Sequence, residues 1–250
     1  MKVYLIFILI LVSVSSCYKE SDYTKPLSPD LFKITAISNS ILADSFSTAK
    51  ITVEIPVESA DSLLQITFKT TSGIFVDAGQ KIITVKAKKT MDGLSRIAEA
   101  ILKSSNSVDT AVVSVELFDF KQSVKVYFAK SYPEKLQLFA STLSVKPANN
   151  STGEVNIDAL ITKINGYPSV GNIIDLKGYD SSFNKRLGSF RVYNNQSNYS
   201  GRTNYVFVLG DSIFNKTATS YIGSVYLIGI ASSNTSNQFL SDTIKLISSR

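Results

Sequence analysis

Apolar and polar residues alternate with a period of two through most of the chain beyond residue 31. Ile51, Val53 and Ile55, for example, alternate with Thr52 and Glu54. This pattern is typical of a strand that has one face on a hydrophobic core and the other in water. Clusters of Ser, Asn, Asp and Gly separate such runs. The alternation predicts seven strands in the first half of the chain: 33–38, 49–56, 65–71, 81–87, 95–103, 110–118 and 122–129.

The segment 94–102 also has the Ala, Glu and Leu content of a helix. It is short and lies between strands, so we interpret it as a strand. Ser131-Tyr132-Pro133 breaks the alternation and marks a predicted domain boundary. Beyond it the same pattern predicts seven more strands: 136–140, 155–164, 172–179, 188–193, 204–209, 223–231 and 242–247. Seven short strands with turns between them favour a β-sandwich, so we predict an all-β fold with domains at 31–130 and 131–250.

The two halves present their parts in the same order. Alignment of residues 49–75 with 155–190 gives strand, loop, strand and then Gly-x-Phe, as Gly73-Ile74-Phe75 in one half and Gly188-Ser189-Phe190 in the other. Identity between the halves is low. The recurring order nevertheless predicts a tandem repeat of one domain type.

The first half resembles the bacterial Ig-like repeats of the intimin and invasin type. The resemblance is carried by SILAD at 40–44, STAKITV at 47–53 and ITFKTTSGIF at 66–75, which match that family's Ala-Asp-Gly, Thr/Val strand and Thr-Gly-x-Phe turn. The family's Gly-x-Pro-x-x-Gly loop is replaced by polar and acidic residues at 57–64, but it occurs in the second half at 166–171. The resemblance implies two tandem Ig-like β-sandwich domains with an adhesion or spacer role.

The chain begins with MKVYLIFILILVSVSSC, a positive residue, an apolar run at 3–12 and small residues before the only cysteine. This is the layout of a secretory signal peptide. The apolar run is too short for a membrane span, which needs about 20 residues. Val14-Ser15-Ser16-Cys17 resembles the lipobox of bacterial lipoproteins. The resemblance implies a signal peptide at 1–16 and lipid attachment at Cys17.

Residues 17–30 are predicted to form a tether, because they are polar, lack periodicity and include Pro26 and Pro29. The charged residues after Cys17 resemble the lipoprotein export signal of Bacteroidota, although Lys19 interrupts the match. This predicts a protein that is lipid-anchored to the outer membrane and exposed at the cell surface. The alternative is an ordinary cleaved signal, for which small residues at Ser13 and Ser15 provide a site.

The composition of the chain excludes several classes of function. Hydrophobic residues make up 44% and charged residues 18%, which indicates a globular protein. The 26 Lys and Arg residues less Lys2 leave 25 against 20 Asp and Glu, a net charge of +5 spread without a basic cluster, which argues against nucleic acid as a partner. There is no His and a single Cys. The commonest general base and a thiolate zinc site are therefore excluded, and we predict no enzyme activity, metal or cofactor.

The stretch 191–204, RVYNNQSNYSGRTN, has the Tyr, Asn, Ser and Gly content of binding loops. It makes Tyr193, Tyr199 and Arg202 candidate ligand-binding residues. The alternative is a long polar loop that joins two strands. The absence of Trp removes the preferred stacking platform for sugars, but Tyr can replace it.

Four Asp-Ser/Thr-apolar triplets fit the O-glycosylation motif of Bacteroidota. They make four hydroxyl residues candidate modification sites: Ser62, Thr110, Ser212 and Thr243.

The leading hypothesis is a non-enzymatic, surface-tethered lipoprotein with an Ig-like adhesion or spacer module. The alternative is an accessory glycan- or peptide-binding lipoprotein of a nutrient-uptake system. A third hypothesis is a subunit of a surface fibre, since a neighbouring chain can complete the edge strand of a sandwich. Under these hypotheses the partner, besides the outer membrane, is a surface protein or a glycan. The sequence does not determine the oligomeric state.

Overall fold

The computed structural model describes residues 33–59, 64–117, 120–146, 153–210, 221–233 and 238–249. Within these ranges the chain forms eighteen strands and no helix, so the predicted all-β fold is confirmed. No helix of the described residues has the length and apolar content to cross a membrane. The predicted signal peptide, Cys17 and the tether lie outside the described ranges.

The first sandwich contains two sheets. One has the strand order β1-β3-β8-β5, with β7 also paired to β8, and the other has the order β2-β10-β9-β4-β6. The strands are β1 Lys33–Ala36, β2 Ser40–Leu42, β3 Thr48–Pro56, β4 Gln65–Thr70, β5 Ile74–Phe75, β6 Ile82–Lys86, β7 Lys88–Lys89, β8 Ser95–Lys103, β9 Asp109–Leu117 and β10 Phe120–Ala129.

The alternation in the sequence explains how these sheets bury one face. In β8, Ala98, Ala100 and Leu102 are buried in the core, whereas Glu99 and Ile101 are exposed. A period of two places every second side chain on the same face of a strand, as a helix would not. The segment that also had helical composition is therefore a strand.

The second sandwich repeats this plan with the sheets β11-β13-β16-β15 and β12-β18-β17-β14. It has its own hydrophobic core, in which Ile157, Phe207 and Leu227 are buried. The strands are β11 Lys135–Ala140, β12 Ser144–Val145, β13 Gly153–Thr162, β14 Ile174–Tyr179, β15 Ser189–Val192, β16 Arg202–Leu209, β17 Gly223–Ser232 and β18 Phe239–Ser248.

In both sandwiches the first extended segment is divided between the two sheets. β1 pairs with β3 antiparallel, and β2 then crosses to the other sheet and pairs with β10 in parallel. β11 pairs with β13 antiparallel and β12 pairs with β18 in parallel in the same way. β2 and β12 have only three and two residues, too few for alternation to predict them.

The two Gly-x-Phe segments occupy equivalent places. Gly73 and Gly188 have positive φ angles of 72° and 68°, and each leads into the edge strand of its sheet, β5 or β15. A Cβ at Gly73 would lie 2.4 Å from the carbonyl oxygen of Lys103, and one at Gly188 would lie 2.5 Å from the Phe207 ring. Only glycine fits both the backbone conformation and the space, which explains why this part of the repeat recurs.

Candidate functional site

Two regions of the molecule bring polar side chains together: the junction between the sandwiches and the outer face of the sheet β11-β13-β16-β15. At the junction, the loop 166–171 of the second sandwich contacts the first sandwich through its backbone. The Tyr167 N–H donates to the carbonyl of Asp44 at 2.8 Å, and the Val170 N–H donates to the carbonyl of Asn106 at 2.8 Å. This loop is the Gly-x-Pro-x-x-Gly segment of the sequence.

Ser169 is the central residue of the junction. Its side chain is fully buried, donates to the carbonyl of Ala43 at 2.9 Å and accepts from the N–H of Ser131 at 2.8 Å. The Ser169 N–H also donates to the carbonyl of Ser131 at 2.9 Å. One residue of the second sandwich thus connects the first sandwich to the connecting segment at 130–134.

Gly166 brings the two backbones close together. Its φ is +78°, and a Cβ there would lie 2.5 Å from the carbonyl oxygen of Asp44 and 2.8 Å from the Cβ of Phe46. Neither neighbouring atom is the flexible end of a side chain. Any larger residue at this position would therefore push the sandwiches apart or distort the loop.

A buried ion pair also crosses the junction. The Asp44 carboxylate accepts hydrogen bonds from the N–H groups of Phe46 and Ser47, at 2.9 and 2.7 Å, and from the Ser47 hydroxyl at 2.8 Å. Lys163 of the second sandwich lies 3.7 Å from it and also donates to Ser131 Oγ. Burial alone would raise the pKa of Asp44, but these hydrogen bonds and the Lys163 charge together lower it below its ordinary value.

The second region is the outer face of the sheet β11-β13-β16-β15. The strand register places Phe139 opposite Asp158, and Asp158 opposite Asn204. Tyr193 follows β15 directly and is fully exposed. A cavity of about 550 Å³ lies on this face, lined by Asn156, Ile157, Asp158, Arg191, Val192, Tyr193, Asn204, Tyr205 and Val206.

Two ion pairs lie on this face. Arg202 lies 3.4 Å from Asp158, and Arg191 contacts Glu154. Tyr205 is buried beneath the face and donates its hydroxyl to the carbonyl of Ile174 at 2.5 Å. Burial and then the Asp175 charge raise the pKa of Tyr205, so this phenol stays neutral and structural.

The structure places the three predicted ligand-binding residues in two regions. Tyr193 lines the cavity, and Arg202 pairs with Asp158 beside it. Tyr199 is exposed but does not line this cavity, and its carbonyl accepts a hydrogen bond from Asn106 at the junction. The stretch 193–201 is a loop that joins β15 to β16, and it hydrogen-bonds residues 171–174.

Of the candidate modification sites, Thr110 is exposed at the start of β9 and Thr243 is exposed on β18. Ser62 and Ser212 lie outside the described residues. In the described part of the chain, no group of three or more Asp, Glu, His or Cys residues could hold a metal ion.

The sequence reasoning missed Phe139, Asn156, Asp158 and Asn204. These residues fall within the predicted strands 136–140, 155–164 and 204–209, but no functional role was predicted for them. The available signal was Asn156-Ile157-Asp158, which places an amide and a carboxylate on the same outward face of one strand. Their proximity to Tyr193 depends on strand pairing, which the sequence pattern did not specify.

The chain is similar in fold to a bacterial adhesin and to a bacterial integrin-binding protein. No protein-family model matches it, and no curated protein matches its sequence. An adhesin of Yersinia pseudotuberculosis, InvE, matches 88% of this chain and 59% of its own length, with 14% identity and a TM-score of 0.50. Invasin, a bacterial integrin-binding protein, matches 87% of this chain and 39% of its own, with 16% identity and a TM-score of 0.52.

At these identities the similarity shows the fold alone. It confirms the tandem Ig-like β-sandwich architecture that the intimin and invasin resemblance implied. The chain spans about two fifths to three fifths of the length of these two proteins.

Proposed function

We propose that this chain is a non-enzymatic surface lipoprotein of the bacterial outer membrane, in which two Ig-like domains form an adhesion or spacer module. The observation that carries the proposal is the junction. Neighbouring domains in one chain are expected to move relative to each other unless contacts between them fix their orientation. Here Ser169, Gly166 and the Asp44–Lys163 pair connect the sandwiches through buried contacts. A spacer or adhesin needs such a fixed orientation to present its outer domain at a defined position.

The membrane anchor is the second part of the proposal. A lipid attached to Cys17 would hold the mature chain at the outer membrane, and residues 17–30 would separate the first sandwich from the lipid surface. The fold similarity to an adhesin and to an integrin-binding protein supports a role at the cell surface.

Small-angle X-ray scattering of a soluble Cys17→Ser chain tests the spacer role. We expect a scattering curve that one fixed arrangement of the two sandwiches fits. Gly166→Ala should increase the radius of gyration, because the new Cβ would overlap the backbone of Asp44. Gly93→Ala is the matched control, since Gly93 also has a positive φ, +71°, but nothing lies within 4 Å of its added Cβ. A wild-type curve that requires many domain orientations would contradict the spacer role.

Membrane fractionation tests the anchor. Cys17→Ala should move the protein from the membrane pellet to the soluble fraction, whereas Ser21→Ala, a nearby substitution in the tether, should leave it in the pellet. Metabolic labelling with a fatty acid should mark the wild type and not the Cys17 variant. A Cys17→Ala variant that is labelled with the fatty acid as strongly as the wild type would disprove lipid anchoring at this residue.

A further inference from the structure

We propose that the outer face of the sheet β11-β13-β16-β15 binds an uncharged oligosaccharide. This site goes beyond a spacer role and would make the second sandwich the recognition domain of the protein. The argument uses the row of side chains across the sheet, the pairing of its charges and the size of its cavity.

The row crosses β11, β13 and β16, ends at the residue that follows β15, and has an aromatic residue at each side. Phe139 on β11 is opposite Asp158, which is opposite Asn204. Val192 pairs with Tyr205, and the next residue, Tyr193, lines the same cavity as Asn204. The row is about 14 Å wide, three strand spacings of about 4.8 Å. Phe139 and Tyr193 are both exposed, so each presents an apolar ring at the border of a polar surface.

The polar side chains on this face can form hydrogen bonds with the hydroxyl groups of a ligand. Among the described residues, the side-chain amides of Asn156 and Asn204 have no hydrogen-bond partner, so both remain available to a ligand. An amide offers donors and an acceptor, and the Asp158 carboxylate adds acceptors. A hydroxyl is both a donor and an acceptor, so a polyhydroxylated ligand can pair with every one of these groups.

The charges argue for an uncharged ligand. Arg202 is paired with Asp158 and Arg191 with Glu154, so the two cations beside the cavity are matched by two anions, whereas Lys135 lies at the far end of β11, opposite Thr162. A site for a polyanion would instead present unpaired Arg or Lys side chains, which form bidentate bonds with carboxylate or phosphate. Neutral hydroxyl groups need no net charge at the site.

The size and polarity argue for a small ligand rather than a protein. The cavity volume of about 550 Å³ falls within the range of about 300–1,000 Å³ that is usual for small-ligand sites. The centres of protein interfaces are depleted of charged residues. The centre of this face is Asn156, Asp158 and Asn204, with Val206 as its apolar neighbour.

Affinity electrophoresis through gels that contain soluble polysaccharides tests the proposal. The neutral probes are laminarin, dextran and mannan, and the polyanions are polygalacturonate and heparin. We expect at least one neutral polysaccharide to retard the wild type, and neither polyanion to do so. Titration calorimetry with an oligosaccharide of the retarding polymer then gives the affinity.

The variants assign the binding to this face. Tyr193→Ala and Asn204→Ala should each weaken binding by about tenfold or more, because each removes a side chain that lines the cavity. Both side chains are exposed, so the variants should retain the wild-type circular dichroism spectrum. Tyr199→Ala is the matched control, an exposed Tyr of the same loop that does not line the cavity, and its affinity should stay within about twofold of the wild type.

Absence of retardation by every neutral polysaccharide would overturn the proposal, as would stronger retardation by a polyanion. Wild-type affinity in the Tyr193 and Asn204 variants would overturn it as well. Selection of a displayed peptide whose binding requires Tyr193 and Asn204 would replace the saccharide site with a peptide site. None of these outcomes changes the scattering result, so the spacer role is tested separately.

Discussion

The outer faces of two equivalent sheets differ between the sandwiches. In the first sandwich, Lys50, Thr52 and Glu54 project outward from β3, and Lys50 forms an exposed ion pair with Glu99 of β8 at 2.9 Å. In the second sandwich, the equivalent strand β13 presents Asn156 and Asp158, and the sheet has aromatic residues at both borders. The strand orders β1-β3-β8-β5 and β11-β13-β16-β15 are the same.

This difference shows that one fold can carry two different outer surfaces. The inward positions must be apolar in both sandwiches to form a core, whereas the outward positions are free to carry any polar chemistry. The first sandwich has a charged strand surface, and the second has two ion pairs beside a cavity that Asn156, Asn204 and Tyr193 help to line. Recognition is therefore expected in the second sandwich and structural support in the first.

The largest expected effects test whether the two cores are equivalent. Phe68 and Phe207 are fully buried, and each ring contacts the Phe that follows a repeat glycine, Phe75 at 6.1 Å and Phe190 at 5.2 Å between ring centroids. Phe68→Ala and Phe207→Ala should each lower the free energy of unfolding by about 3–5 kcal/mol. Urea denaturation followed by circular dichroism measures this loss.

Phe139→Ala is the control for both core variants, because this Phe is exposed on the outer face. Its effect should be below about 1 kcal/mol. A loss below about 1 kcal/mol for either core substitution would show that the two cores are not equivalent.

The repeat glycines should give the next largest effect. Gly73→Ala and Gly188→Ala combine a positive φ with a Cβ that would overlap a neighbouring atom, so each should cost about 2–4 kcal/mol. Gly79→Ala has a similar φ, +63°, with nothing within 4 Å of the added Cβ, and should cost about 1–2 kcal/mol. Thermal unfolding compares the three variants. Equal losses in all three would mean that the turns are not constrained by packing.

The Asp44 carboxylate at the junction predicts that the free energy of unfolding depends on pH. The pKa of Asp44 is lower in the folded chain than its ordinary value of 3.8. The unfolded state therefore binds the proton more readily, so the stabilisation from Asp44 is complete above the unfolded pKa and is lost as the pH falls through the folded pKa. Asp44→Asn should cost about 1–3 kcal/mol at pH 7 and progressively less below about pH 4.

Chemical denaturation at pH 7 and pH 3 measures this difference. Asp92→Asn is the control, since Asp92 also has a lowered pKa from its hydrogen bonds with Thr90 and Leu94 but is exposed in a turn remote from the junction contacts. Its effect on unfolding should be smaller than that of Asp44→Asn. A cost of Asp44→Asn that is the same at both pH values would contradict the buried ion pair.

The smallest effects concern the exposed ion pairs on the two outer faces. Lys50→Ala breaks the pair with Glu99, and Arg202→Ala breaks the pair with Asp158. Water screens both pairs, so each change should lower the free energy of unfolding by less than about 1 kcal/mol. A larger loss for Arg202→Ala would mean that the outer face of the second sandwich is built for stability and not for binding.

The strands could be predicted from the sequence because half-buried sheets impose alternation, as at Ile51, Val53 and Ile55. The repeat could be predicted because Gly73 and Gly188 are needed for the same backbone turn. β2 and β12 were missed, since a strand of two or three residues has no measurable period.

The two candidate regions were harder to predict because they depend on contacts between distant residues. Asp44 and Lys163 are separated by 119 positions, and nothing in either local sequence indicates the other. The row Phe139, Asp158 and Asn204 comes from three strands, whose register a single sequence does not state. Tyr193 and Arg202 were found through loop composition, which is a local signal.

The fixed junction is tested most directly by measuring the distance between two spin labels, one on each sandwich. In a Cys17→Ser chain, Thr35→Cys on β1 and Thr243→Cys on β18 place labels at exposed positions of the first and second sandwich. Double electron–electron resonance should give a single narrow distance distribution, which Gly166→Ala broadens. A broad or multimodal distribution in the chain that retains Gly166 would contradict the fixed junction and the spacer role that depends on it.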